Sequence, residues 1–106
     1  MSKKLKPIHP GEILREEFML PLGISSNALA RAVSVTPARI NEIVRERRGI
    51  TADTALRLAR FFGTDVQSWM NLQTNYDIEC AQAEAGRTIT HIRPLKTESI
   101  GHRASV

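Results

Sequence analysis

Cysteine is almost missing from this chain: Cys80 is the only one in 106 residues. No disulfide can close within the chain, and a single chain cannot build a thiolate metal site, which fits a reducing cytoplasm. Aromatic residues are scarce as well, with one tryptophan, one tyrosine and three phenylalanines. A single small core must therefore be packed mainly from Leu, Ile, Val and Ala. No apolar run reaches the ~20 residues that cross a bilayer. The amino-terminal lysines are not followed by the apolar segment of a secretory signal, so a cytoplasmic protein without membrane contact is expected. His9, His91 and His102 have no metal-ligand spacing, and neither HExxH, CxxC nor a phosphate-cradling glycine loop occurs. Glu16 and Glu17 are adjacent, so on a helix they point about 100° apart and do not converge as an acid/base pair. No enzyme, cofactor, metal site or small-molecule substrate is expected. A basic ribonuclease is the one enzyme class that the charge leaves open, and the lack of a general base speaks against it.

What the chain does have is arginine in one place. The formal net charge is +4, which permits a nucleic-acid partner without indicating one. Its distribution says more: between Ser26 and Ile50 there are five arginines (31, 39, 45, 47 and 48) against two glutamates, Glu42 and Glu46. The same stretch reads as two short helices joined by a tight turn. In the first, Leu29, Ala30 and Val33 form one apolar stripe, and Ser26 is the expected N-cap. The second has Thr36 as cap and Pro37 at its first position, where a missing N–H costs nothing. Ile40, Ile43 and Val44, spaced i, i+3, i+4, are its buried face. Arg39, Asn41, Glu42 and Arg45 are left on the other. A helical hairpin with a solvated polar face would satisfy the same periodicity. The cap, the proline and the basic groups favour a helix-turn-helix motif over residues 26–45, whose second helix enters a DNA groove.

The rest of the chain frames that motif. Residues 1–8 form a basic arm, with Lys3, Lys4 and Lys6 as candidates for phosphate contact. A first helix is expected from Pro10 or Gly11, with Ile13, Leu14 and Phe18 inward and Pro21 and Gly23 stopping it. After the motif, Gly49 is the expected left-handed stop. Thr51 caps a fourth helix whose Ala55, Leu58, Ala59 and Phe62 face the core, and Gly63 ends it. Asp65 caps a fifth, over 66–81, in which Trp69, Leu72, Tyr76 and Cys80 line a second apolar stripe that suits a partner. Trp69 alone of these is expected to close the monomer core, which makes Tyr76 and Cys80 the better dimer candidates. Residues 82–106 form a carboxy-terminal extension, closed by Gly86 at its start. In 87–95, alternating Thr88, Ile89, Thr90, His91 and Ile92 suggest one short strand, which would need pairing from a second chain or from an edge on another protein; the alternative is a segment disordered until a partner arrives.

An all-α chain of five helices, with the second and third forming the motif, is the arrangement of lambda-repressor-like domains. The segments HPGEIL at 9–14, ALARAVSVTPARINEIVRERRGIT at 28–51, DTALRLARFFGT at 53–64 and WMNLQTNYD at 69–77 resemble the HigA antitoxin family, of XRE type and related to virulence-associated protein I. The resemblance spans roughly residues 7–80. It implies a bacterial homodimer that binds a palindromic operator, represses its own operon and neutralises a HigB-like mRNA endonuclease by binding it. A stand-alone transcriptional regulator without a toxin partner is the alternative.

For the motif itself, Arg39 and Asn41 are expected to read guanine and adenine edges, with Arg45 on a base or the backbone. Ser26, Asn27 and Thr36 are candidates for phosphate contact, and small Pro37 and Ala38 allow close approach. Glu42 accepts from cytosine or pairs with Arg39 or Arg45, while Arg47 and Arg48 flank the site on phosphates. Dimer contacts are expected from Trp69, Leu72, Tyr76, Cys80, Ile89 and Ile92, because reading two half-sites about 34–36 Å apart needs a two-fold pair of recognition helices.

Overall fold

The computed structural model describes residues 6–96. Lys3 and Lys4 of the basic arm and the tail from residue 97 lie outside the described residues. Within them the chain forms five helices and no strand. The first, α1, covers residues 10–22 in three consecutive pieces, Pro10–Ile13, a wider π-helical Leu14–Met19, and Leu20–Leu22. α2 is Ser26–Val33, α3 is Pro37–Val44, α4 is Ala52–Phe62 and α5 is Val66–Ile89.

Helix α1 passes through Pro21 rather than stopping at it. A proline ring collides with the carbonyl four residues back. Here the preceding turn is widened, and the Leu20 N–H already reaches five residues back to the Arg15 carbonyl. That widening relieves the clash. Gly23, at φ 65°, makes the stop. Four helices end alike, on a left-handed residue followed by a bond back to the last turn. These residues are Gly23, Ser34, Glu46 and Gly63, with Ile24 N donating to Met19 O, Val35 N to Ala30 O, Arg47 N to Glu42 O and Thr64 N to Ala59 O. The stop after α3 is thus Glu46 and not Gly49. Gly49 serves a different need: a Cβ there would stand 2.7 Å from Gln73 Oε1. That oxygen accepts from Ile50 N at 2.6 Å.

Two of the four expected amino-terminal caps, Thr36 and Thr51, cap as expected. Thr36 Oγ1 accepts from Arg39 N at 3.2 Å, and Thr51 Oγ1 from Thr54 N at 3.3 Å. The cap of α2 is Ser25, whose Oγ accepts from Ala28 N at 3.1 Å; Ser26 is already the first helical residue. Asp65 stands at the cap position of α5, but its carboxylate takes the Ser68 hydroxyl instead of a backbone N–H. At α1 the cap is His9, whose Nδ1 accepts from Gly11 N at 2.8 Å.

Leu14, Leu29, Ala30, Ile40, Ile43, Ala55 and Leu58 are wholly buried and make the core where α1 to α4 meet. With so few aromatics, three carry one side of it: the Phe18 ring lies 4.9 Å from Phe62 and 5.0 Å from Trp69. Trp69 is 2% exposed, and its Nε1 donates to Thr64 Oγ1 at 2.7 Å. It closes the monomer core and has no surface to give a second chain, which removes it from the expected dimer contacts.

Helix α5 runs on through Gly86 to Ile89, where a strand was expected. Thr90 N, His91 N and Ile92 N close the end by bonding to Gly86, Thr88 and Ile89 carbonyls. A lone strand would leave its backbone groups unpaired, and no strand partner exists among the described residues. The helix satisfies them within the segment. Between Ala81 and Lys96 only Ala85 and Gly86 are even half-buried.

Candidate nucleic-acid interface

The outward surface of α3 follows from its turn angle. At about 100° per residue, Pro37, Ala38, Asn41, Glu42 and Arg45 occupy one arc of the helix, and all five are exposed. Ile40 and Ile43 lie opposite and are fully buried. Thr36 is exposed at the head of that arc. Small residues at the start and longer polar ones further along give a helix that a groove can admit amino-terminus first. Helix α2 packs against α3 through buried Leu29, Ala30 and Val33. Asn27 is exposed and Ser26 half-buried at the start of α2.

Arg39 departs from the expected arrangement. It falls on the flank of α3, half-buried, and Nη1 meets Asp53 Oδ2 of α4 at 2.9 Å. The same nitrogen lies 3.4 Å from the Thr54 hydroxyl. Glu42 does form an ion pair, but with Arg48, at 3.1 Å between Oε1 and Nε; neither Arg39 nor Arg45 is its partner. The turn after α3 carries residue 48 back alongside residue 42. Arg31, Arg45 and Arg47 have no carboxylate partner among the described residues and are exposed. They supply uncompensated positive charge to the motif and to the turn after it.

Several residues that hold the motif gave no functional signal in sequence. Arg57 of α4 donates through Nη1 to the Val33 and Ser34 carbonyls, at 2.9 and 3.1 Å, so it grips the turn between α2 and α3. Through Nε it bonds Asp53 Oδ2 at 2.9 Å. Two arginines beside one carboxylate, Arg57 first and Arg39 second, hold the Asp53 carboxyl below the usual carboxylate range. At the other end of α3, Arg15 of α1 donates through Nη1 to the Val44 carbonyl and meets Glu46 at 3.4 Å. Gly11 seats directly on the same end: a Cβ there would stand 1.8 Å from Ile43 O. Only the Asp53–Arg57 pair was readable, as an i, i+4 spacing. The others join residues too distant in sequence to be seen there.

The remaining expected residues lie on α5 and beyond. Leu72, Tyr76 and Cys80 are half-buried and Ile89 and Ile92 exposed. Tyr76 packs edge-on to the His9 ring at 4.7 Å, and its phenol is pushed up by the neighbouring Cys80 and then by burial. Ile78 of α5 is half exposed as well. Among the described residues no helix is long and apolar enough to cross a membrane, and no cluster of His, Cys, Asp and Glu could hold a metal ion.

A three-residue turn between two short helices, with the second presented on a scaffold of three more, defines a helix-turn-helix protein. A helix-turn-helix family profile matches residues 14–69. The chain is 58% identical to virulence-associated protein I of Dichelobacter nodosus over 98 residues, 92% of this chain and 90% of that one. Antitoxin HigA-1 of Vibrio cholerae is 30% identical over 92 residues, 87% of each chain. Pseudomonas aeruginosa antitoxin HigA, solved with the higBA promoter, superposes with a TM-score of 0.83 at 55% identity, covering 85% of this chain and 99% of that one. The chain belongs to the helix-turn-helix family, in the XRE-type group that contains the HigA antitoxins.

Proposed function

We propose that this protein is the antitoxin of a HigB/HigA-type pair. As a cytoplasmic homodimer it lays two copies of α3 in successive major grooves of a palindromic operator and represses its own operon. It neutralises a cognate mRNA endonuclease by binding it, and catalyses nothing itself. The observation that carries this reading is the exposed arc Thr36–Pro37–Ala38–Asn41–Arg45, with Arg31 of α2 and Arg47 of the following turn also exposed, on a chain 55% identical to a HigA solved with promoter DNA. Asn41 has the donor and acceptor for adenine N7 and N6, and Arg45 the fork for guanine. Arg31, Arg47 and the Thr36 hydroxyl suit phosphates, which fix register without reading sequence.

Binding to duplexes tiled across the DNA upstream of its own gene tests the repressor. One tile bound tightly and two-fold symmetrically is expected, and equal binding to all tiles would overturn it. Purification of the tagged chain from its host at moderate salt tests the antitoxin: a small protein encoded beside this gene is expected at near one to one. Recovery of the chain and DNA alone would leave the stand-alone regulator, a reading consistent with the virulence-associated relative, whose name specifies no toxin.

A further inference from the structure

Arg39 is held from behind. Its Nη1 is bonded to Asp53 Oδ2 and lies near Thr54 Oγ1, while Nε and Nη2 find no acceptor among the described residues. The oxygen that holds it, Asp53 Oδ2, is itself fixed by Arg57 Nε at 2.9 Å. Arg57 in turn is anchored on the two carbonyls of the turn, Val33 and Ser34. The chain of contacts therefore runs from the turn between α2 and α3, through α4, to a side chain on the flank of α3. A guanidinium is a planar fork of five donors. Tying one corner to a carboxylate restricts the rotamers from which the rest of the fork reaches a base, so the entropy of ordering it is spent before DNA arrives.

We infer that Asp53 is a positioning residue for DNA recognition: together with Arg57 it orients the Arg39 fork toward a base edge beside the Asn41–Arg45 arc. This rests on the DNA-reading function proposed above and deepens it. Asp53 is not offered as a DNA contact, since an exposed carboxylate on this face repels phosphates.

That repulsion gives the test its sign. If Asp53 only contributes charge, Asp53→Asn removes one negative charge and strengthens binding to every duplex, steepening the salt dependence. If it positions Arg39, the same change weakens binding to the preferred duplex and leaves random DNA as tightly bound or tighter. The probe is a duplex that the wild-type chain itself selects from a randomised library, compared with a scrambled duplex of equal length across a salt series. The expected result is a loss of roughly tenfold or more in the ratio of preferred to scrambled affinity, the scale of one good base contact. Arg39→Ala is expected to lose as much, and the double variant no more than either. Arg57→Lys, which keeps the charge but not the fork that spans carboxylate and carbonyls, is expected to lose part of the ratio. Thermal melting of each variant separates folding damage, which would lower binding to both duplexes together.

Equal or improved discrimination by Asp53→Asn, or additive losses in the double variant, would overturn the positioning role while leaving DNA recognition standing. A wild-type chain that selects no sequence would overturn the proposed function first and this inference with it.

Discussion

Ser34 occupies a conformation that a side chain resists. Its φ of 60° and ψ of 50° end α2, at a cost of about 1–2 kcal/mol for a residue with a Cβ. Ser34→Gly is expected to raise stability by about 0.5–1 kcal/mol after the added freedom of the unfolded chain is counted. Urea unfolding would read this as a higher midpoint at unchanged slope. Gly11 is the opposite case. Gly11→Ala would press a methyl into the Ile43 carbonyl and is expected to cost about 3 kcal/mol or more, measured by the same titration. His9 adds a pH dependence. Burial pushes its pKa down from the ordinary 6.5, against the opposing pull of Glu46 and Asp77. The neutral Nδ1 must also accept from Gly11 N. In the pH range between the folded and unfolded values the unfolded chain binds more protons, so stability rises with pH. The contribution is complete above about pH 6.5 and is lost as pH falls through the folded value. Melting temperature is expected to drop as pH falls below about 6.5, the unfolded value, and His9→Ser, which keeps a cap acceptor, to flatten that drop. A melting temperature equally pH-dependent in the variant would remove His9 as the cause.

At the scale of elements, α3 stands or falls with its first turn. Thr36→Ala is expected to cost about 1 kcal/mol of stability and also to weaken DNA binding where the hydroxyl meets a phosphate. Thermal melting and a binding isotherm separate the two effects. Five helices, their order and the motif were legible in sequence, because caps such as Thr36 and Thr51 and stripes such as Ala55–Leu58–Ala59 are local patterns. Boundaries that depend on non-local relief were not. Pro21 reads as a stop until the π-turn upstream moves the Glu17 carbonyl aside. Glu46 and Ser34 do not read as left-handed stops, since glycine is the only strong sequence signal for that conformation. The 88–92 alternation imitates a strand; with no strand to pair with among the described residues, Thr88 and Ile89 continue the helix and Thr90–Ile92 turn out of it. In the candidate site, the outward arc of α3 was legible and the placing of Arg39 was not, because nothing in the recognition stretch announces a carboxylate fourteen residues further on.

For the whole molecule, the proposed homodimer needs a surface that the monomer core leaves free. Trp69 is spent on the monomer, and Tyr76 is partly spent on His9. Ile78 and Ile89 of α5, each about half exposed, are the better sites for a charge. Ile89→Glu is expected to leave the melting of the monomer core nearly unchanged and to weaken operator binding by abolishing the two-fold pair. Analytical ultracentrifugation at micromolar concentration checks it; a variant that stays dimeric would place the interface elsewhere.

The last turns of α5 carry a consequence for time as well as for space. From Ala81 to Ile89 the helix rests on almost nothing among the described residues, and short stretches of helix without tertiary support are marginal in water. Their amide protons should exchange with deuterated solvent orders of magnitude faster than those of buried Ile40 or Leu58, which open only when the domain unfolds. Whatever covers those turns, a second protomer or another protein, would then register as slowed deuterium uptake confined to one peptide. In the free chain that peptide is expected to exchange fast, so occupancy can be read from its slowing alone.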